Sequence, residues 1–218
     1  MKRSWILFEH KVQPTIFYGE VIRYEVQSIA GQEMKSYLIT DPKFYSVELA
    51  TFRNIMQKAL QKHQPDFALY RDKNNLDYAE MAKLFQELCS HSGKTKAMLH
   101  GNVGLAAELH AYGVHLTSQQ FDEIAKAKAL GLFVVISCHS EEEILLAQKK
   151  GADAVTYSPI FSTPEKGEPK GLEDLNERVA KIRLPIIALG GITTKAQVKA
   201  VEKSGCFGFA SIRYFIDN

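Results

Sequence analysis

Residues 185–213 read PIIALGGITTKAQVKAVEKSGCFGFASIR. An apolar run ends in two glycines, a stretch with helical spacing follows, and a second apolar run ends in Ser-Ile-Arg. Apolar runs without polar alternation are typical of strands buried on both faces, as parallel strands covered by helices are. The stretch therefore predicts a strand–helix–strand unit with a glycine turn after its first strand.

The same alternation fills the chain from residue 36 onward. Short apolar runs such as YLIT (37–40), FALYR (67–71) and LFVVIS (132–137) are each followed by an amphipathic stretch, and there are eight such pairs. Eight consecutive βα units are typical of a (β/α)8 barrel. We predict an α/β fold, a TIM barrel, over residues 34–218.

Both ends of the chain depart from this repeat. Residues 1–33 are rich in β-branched and aromatic residues and predict a β-rich N-terminal extension. Few residues follow the eighth strand, so the eighth helix is truncated. We expect the N-terminal strands to cover the flank that this helix leaves. An apolar face that nothing covers would favour association with a second copy of the chain, so a homo-oligomer is an alternative.

Composition narrows the class of protein. The 218 residues include 27 basic and 25 acidic ones, so no overall field favours nucleic acid or a membrane as partner. No apolar run reaches the length of a membrane span, and the N-terminus lacks the order of a signal peptide. The three cysteines lack the spacing of a zinc or redox site. We predict a cytoplasmic protein with reduced thiols.

Two glycine-containing segments suggest a phosphate site. Backbone N–H groups at Gly190 and Gly191, close to a helix N-terminus, can approach an anion closely, although a plain tight turn is the alternative. The segment 158–175 after the sixth strand is long and polar. Its Thr163 and Lys166 would close over a phosphorylated ligand, and a surface loop without a ligand is the alternative.

Further polar residues lie at strand ends, where barrels of this type carry their active sites. Arg71 and Lys73 have the same strand parity and would meet an anionic group, unless they form a solvated strand end. His100 and His115 end the third and fourth strands. The carboxylate companions of a metal site are missing, so we predict no metal.

The fifth strand contributes a candidate for proton transfer. His139 follows Ser137 by two residues, so both side chains can face the barrel axis. A neutral imidazole at this place suits general acid/base chemistry. Ser140 and Glu143 also have the spacing of a capping box, which predicts the start of the next helix.

Five motifs fall in order on consecutive strand ends: GVHL (113–116), SCHSEEE (137–143), GADAVTYSPIFSTPEKG (151–167), IIALGGIT (186–193) and GFAS (208–211). Together they resemble the thiamine phosphate synthase/TenI superfamily over residues 35–216. The resemblance implies one of two activities. Synthases join a pyrimidine diphosphate to a thiazole phosphate carboxylate with magnesium, whereas TenI-type tautomerases aromatise the thiazole phosphate carboxylate.

The chain departs from the synthases around the diphosphate. Leu69 replaces their Gln, His100-Gly101 replaces an Asn-Asp pair, and Gln120 replaces the second magnesium-binding Asp. Neutral side chains do not supply the hard anionic oxygens that magnesium prefers. We therefore expect no cofactor, and magnesium only if the chain is a synthase.

The residues that bind thiazole phosphate in the family match this chain more closely than those around the diphosphate. Gly191, Thr163 and Lys166 match its phosphate-binding residues, and Ile212-Arg213 replaces a Val-Ser pair whose N–H groups bind phosphate. The arginine either strengthens phosphate binding or blocks the pocket. His139 matches the acid/base histidine of the tautomerases, although many synthases also have it.

The leading hypothesis is a TenI-type thiazole tautomerase, an isomerase whose small-molecule partner is a phosphorylated thiazole. One alternative is a divergent thiamine phosphate synthase that recruits His100 or Asp72 in place of the lost carboxylates. A second alternative is a non-catalytic regulator that binds a phosphorylated ligand.

Overall fold

The computed structural model describes residues 33–164 and 166–217. Within these ranges eight parallel strands close into one barrel, in which neighbours in sequence are neighbours in space and the last strand pairs with the first. The strands are β1 (Lys35–Ile39), β2 (Phe67–Tyr70), β3 (Lys96–His100), β4 (Gly113–Leu116), β5 (Phe133–Cys138), β6 (Ala154–Tyr157), β7 (Ile186–Leu189) and β8 (Gly208–Ser211). The predicted (β/α)8 barrel is confirmed.

Helices follow every strand in the described ranges. They are α1 (Pro42–Tyr45), α2 (Leu49–His63), α3 (Tyr78–Ser92), α4 (Val103–Glu108), α5 (Glu123–Ala129), α6 (Glu141–Lys150), α7 (Gly171–Lys181), α8 (Lys195–Glu202) and α9 (Tyr214–Asp217). The sequence analysis did not predict α1. The helix after β8 is short, as expected. The predicted β-rich extension over residues 1–33 lies, apart from Glu33, outside the described residues.

Helix starts are fixed by side chains that accept hydrogen bonds from the first turn. The side chain of Asn102 accepts from the N–H of Leu105 at the start of α4. Thr194 and Gln197 form a complete capping box at the start of α8. Such caps satisfy N–H groups that have no partner inside the helix. These two caps start α4 and α8 a few residues after the ends of β3 and β7, whereas α3, α5 and α7 begin without a side-chain cap.

The core has two layers. One fills the space between the strands and the helices, and the other fills the barrel interior with the inward-facing residues of alternate positions. The interior layer consists of Tyr37, Ile39, Phe67, Leu69, Met98, Val135, Ala154, Ile187 and Ala210. Because these side chains pack the barrel from within, it is not a pore.

The strand register decides which strand ends meet. His100 of β3 lies beside His115 of β4, and Ser137 of β5 lies beside Thr156 of β6. These four residues come from four different strands and lie toward the carboxyl end of the barrel. Among the described residues, no helix combines the length and apolar character that a membrane crossing requires.

Candidate active site

A cavity of about 350 Å³ opens at the carboxyl ends of the strands. Its lining includes every site residue of the leading hypothesis, but not Asp72 of the synthase alternative: Arg71, Lys73, His100, Ser137, His139, Thr163, Lys166, Gly190, Gly191, Ile212 and Arg213. Carboxyl ends of parallel strands share one rim, which explains why residues so far apart in sequence meet.

The two glycines after β7 are held against the loop that follows β6. Gly190 and Gly191 have φ values of 101° and 68°. A Cβ on Gly190 would lie 2.7 Å from Pro159 Cα, and one on Gly191 would lie 2.6 Å from the carbonyl oxygen of Ser162. Both the backbone angle and the close approach therefore require glycine. The turn after β7 therefore packs closely against the loop after β6, in addition to connecting β7 to α8.

Several backbone N–H groups at this side of the cavity have no acceptor in the described part of the chain. Those of Gly191, Ile212 and Arg213 are among them. Buried or clefted N–H groups in folded proteins are nearly always paired with protein, water or ligand. Free donors on neighbouring strand ends are groups that can bind an anion.

Polar contacts fix the loops that carry these donors. The Ser211 hydroxyl donates to the Ile192 carbonyl at 2.6 Å and accepts from the N–H of Tyr214 at 3.2 Å. The hydroxyl of Tyr45 in α1 donates to the Ile212 carbonyl at 3.4 Å. The ends of β7 and β8 are thereby tied to each other and to the short helix after β1.

The hydrogen bonds of His139 define which ring nitrogen is free. Its Nδ1 lies 3.1 Å from the carbonyl oxygen of Ser158 and 3.3 Å from the Ser158 hydroxyl. Because the carbonyl can only accept, this contact favours the tautomer with the proton on Nδ1 and the lone pair on Nε2. The backbone N–H of His139 donates to the Glu143 carboxylate. Ser140 accepts from the N–H of Glu143, but the reciprocal half of the predicted capping box is directed to His139 instead.

Cations line the β2–β3 side of the cavity. Arg71 Nη1 forms an ion pair with Asp41 Oδ2 at 3.3 Å. Burial, with Arg71 and Lys73 adding in the same direction, lowers the pKa of His100 to about 4, so its imidazole is neutral at pH 7. The sequence analysis did not predict Asp41, although it directly follows the first apolar run in TDP.

A nearly fully buried histidine forms part of the cavity lining. His115 Nδ1 is 3.0 Å from the Tyr37 hydroxyl, and Nε2 is 3.1 Å from Ser137 Oγ and 3.3 Å from Thr156 Oγ1. Burial, followed by the charges of His100 and Arg71, lowers the pKa of His115 to about 3. Its imidazole is therefore neutral. Tyr37 and Thr156 were not predicted, although both are inward-facing positions.

The residues at the β3–β4 loops do not fit a magnesium ion. Gln120 Oε1 accepts from the N–H of Thr117 at 3.0 Å, and its Nε2 donates to the Gly101 carbonyl at 2.8 Å. Gly101 and Gln120, the two positions where the resemblance places carboxylates, are therefore both neutral and are hydrogen-bonded to each other. The described residues contain no group of three or more His, Cys, Asp or Glu side chains arranged for a metal. Magnesium prefers anionic oxygens in octahedral array.

Comparison with known proteins identifies the family. A family model described as thiamine monophosphate synthase matches residues 36–215. A relative from Aquifex aeolicus, named putative thiamine-phosphate synthase 2, is 36% identical over 187 residues, which is 83% of this chain and 97% of the relative. The thiamine-phosphate synthase of Latilactobacillus sakei is 32% identical, with 85% of this chain and 86% of the relative covered.

A solved structure agrees with the sequence comparisons. Thiamine phosphate pyrophosphorylase from Pyrococcus furiosus superposes with a TM-score of 0.71 at 30% identity, covering 82% of this chain and 85% of that one. Both kinds of comparison span the barrel. The chain therefore belongs to the thiamine monophosphate synthase/TenI family of thiamine-biosynthesis enzymes.

Proposed function

We propose that this thiamine-biosynthesis enzyme is an isomerase that binds a thiazole phosphate carboxylate and aromatises its ring by proton transfer. The neutral contact between Gln120 and Gly101 carries this proposal. A synthase of the kind described above needs magnesium to stabilise the departing diphosphate. The loops after β3 and β4 place no carboxylate in the cavity lining, since Asp122 after β4 pairs with Lys150 at 2.7 Å outside it. Proton transfer on the thiazole needs no diphosphate site.

In this proposal the ligand phosphate lies on the β7–β8 side. The free N–H groups of Gly191, Ile212 and Arg213 support it, since phosphate oxygens are strong acceptors. The guanidinium of Arg213 and the ammonium of Lys166 line the same cavity and add two positive charges. We assign Thr163 and Gly190 to this phosphate site as well.

We assign His139 the role of acid and base. The lone pair on Nε2 accepts the proton from a ring carbon, and the electron pair of the broken C–H bond shifts into the ring. The imidazolium then returns the proton to the exocyclic carbon, so the net reaction is an isomerisation. The Ser158 carbonyl, 3.1 Å from Nδ1, stabilises the imidazolium between the two steps.

The thiazole carboxylate lies on the β2–β3 side in this proposal. Arg71 and Lys73 supply the charge, while neutral His100 and Ser137 contribute hydrogen bonds. Among the described residues, the cavity lining holds four Lys and Arg side chains against one carboxylate, that of Asp41, which already pairs with Arg71. A ligand with two anionic groups would offset this excess of positive charge.

Thiamine phosphate synthesis is the second candidate. The printed names of the relatives and of the solved structure favour this transferase. Arg71 and Lys73, which the synthases also have, are kept. Asp72 does not fit the role of a substitute magnesium ligand. Its carboxylate accepts from the N–H of Asn74 at 3.1 Å, and the residue does not line the cavity.

Side-by-side assays separate the candidates. Purified protein is incubated with the non-aromatic thiazole phosphate carboxylate alone, and with pyrimidine diphosphate plus aromatic thiazole phosphate carboxylate, each with and without magnesium. We expect isomerisation that does not depend on magnesium and no release of pyrophosphate. Magnesium-dependent pyrophosphate release would establish the synthase instead, and ligand binding without turnover would establish a regulator.

The role of His139 has its own test. His139→Ala should lower the isomerisation rate by roughly a hundredfold, the usual size of a general acid/base contribution. The affinity for thiazole phosphate should stay within about twofold, because the phosphate is held on the other side of the cavity. An unchanged rate would remove His139 from the mechanism.

A further inference from the structure

A chain of hydrogen bonds runs from the barrel interior to the cavity. It begins at Tyr37 in β1, passes through His115 in β4, and ends at Ser137 in β5. Tyr37 and His115 are 1% and 3% exposed, and otherwise the interior layer is largely apolar. Polar groups in such surroundings are costly unless they are hydrogen-bonded.

We propose that Tyr37 and His115 are positioning residues that fix Ser137 as a hydrogen-bond donor to the ligand. In this arrangement the Tyr37 hydroxyl donates to His115 Nδ1, and His115 Nε2–H donates to Ser137 Oγ. The proton of the Ser137 hydroxyl is then directed into the cavity.

The chemistry of the groups around His115 favours this proton order. Both rings are neutral, because burial lowers the pKa of His115 and raises that of Tyr37. His115 Nδ1 is the one hydrogen-bond partner of the Tyr37 hydroxyl among the described residues. In the reverse order Nδ1–H would donate to Tyr37, and the buried phenolic proton would have no acceptor. In the forward order the protons of Tyr37 and His115 both have acceptors. The proton left without an acceptor among the described residues is that of the buried Thr156 hydroxyl, and an alcohol is a weaker hydrogen-bond donor than a phenol.

The forward order also constrains Ser137. Its Oγ already accepts from His115, and its own proton has no acceptor among the described residues. The hydroxyl therefore selects a ligand atom with a lone pair, such as a carboxylate oxygen. The choice of carboxylate rests on the proposed function, whereas the proton order does not. Thr156, 3.3 Å from the same Nε2, holds the ring in place from the next strand.

The proton order can be measured without a ligand. Two-bond ¹H–¹⁵N correlation spectra of the full chain, labelled at its seven histidines, distinguish protonated from unprotonated ring nitrogens. Tyr37→Phe, which keeps the ring and removes the hydroxyl, identifies the signals of His115, and His115→Gln removes them. We expect unprotonated Nδ1 and protonated Nε2 at neutral pH. A protonated Nδ1 would overturn the proposal.

A double-mutant cycle tests whether Tyr37 acts through Ser137. Ser137→Ala should weaken binding of aromatic thiazole phosphate carboxylate roughly tenfold, and Tyr37→Phe about threefold. Thiazole phosphate without the carboxylate should bind all variants about equally. In the Ser137→Ala background, Tyr37→Phe should have no further effect.

Each other outcome has a defined meaning. If Tyr37→Phe weakens binding equally with and without Ser137, its effect does not pass through the serine, and the positioning role is wrong. If neither thiazole compound binds the unaltered protein, the proposed function and the carboxylate assignment fail, while the spectra still decide the proton order.

Discussion

Replacing Gly191 with alanine should cost more stability than the same replacement at Gly205. Both residues have left-handed backbone angles, with φ of 68° and 71°. A Cβ at Gly205 would have no atom within 4 Å, whereas one at Gly191 would lie 2.6 Å from the Ser162 carbonyl and 2.7 Å from Phe161 Cβ. The pair therefore separates the cost of the backbone angle from the cost of the steric overlap.

The expected losses follow from these two terms. A left-handed alanine costs about 1–2 kcal/mol, so Gly205→Ala should lower the free energy of unfolding by about that amount. Steric overlap in a packed site adds about 1–3 kcal/mol, so Gly191→Ala should lose roughly 2–5 kcal/mol. Urea denaturation measures both variants against the unaltered protein.

Ligand binding provides a second measurement on the same pair. Gly191→Ala displaces the loop at Ser162 and should weaken binding of thiazole phosphate, whereas Gly205→Ala, in the turn before β8, should not. Equal losses of stability in the two variants would refute the reasoning, because they would mean that the β6 loop yields to the new methyl group without cost.

Two further predictions concern charge. Arg213→Ser should weaken thiazole phosphate binding roughly tenfold and reduce its salt dependence, and Arg213→Lys should lose less. Calorimetry at two salt concentrations measures both, and unchanged affinity would place the guanidinium away from the phosphate. Burial raises the pKa of Asp66, but hydrogen bonds from Ser36 and Lys35 outweigh it and lower the pKa overall. The stability from this carboxylate is present above its unfolded pKa of about 3.9 and is lost as pH falls through the folded value. Asp66→Asn should therefore flatten the acid side of the stability profile, and parallel profiles would contradict this.

The fold was predictable because its signal is local and repeated. Each strand is a short apolar run, and each run is followed by an amphipathic stretch, so eight units could be counted without knowing any contact. Parallel strands then place their carboxyl ends on one rim. That rule alone predicts that His100, Ser137 and Gly191 lie close together, and in the structure all three line one cavity.

Side-chain partners were less predictable because they depend on how the barrel closes. The ion pair of Arg71 with Asp41 spans two strands, and the contact of Tyr37 with His115 joins residues 78 positions apart. Neither has a local pattern. The bond from His139 to Glu143 was missed for another reason, since the same spacing also suits a capping box.

The donors of Gly191, Ile212 and Arg213 that we propose for the phosphate belong to the main chain, whereas the proposed roles of His139 and Gln120 depend on side chains. A single codon change can delete an imidazole or introduce a carboxylate, but it leaves a peptide N–H in place unless it introduces proline. A barrel built in this way can change its reaction in few mutational steps while keeping the phosphorylated ligand that we propose. Laboratory evolution of new activities would therefore best begin at the ends of β3, β4 and β5.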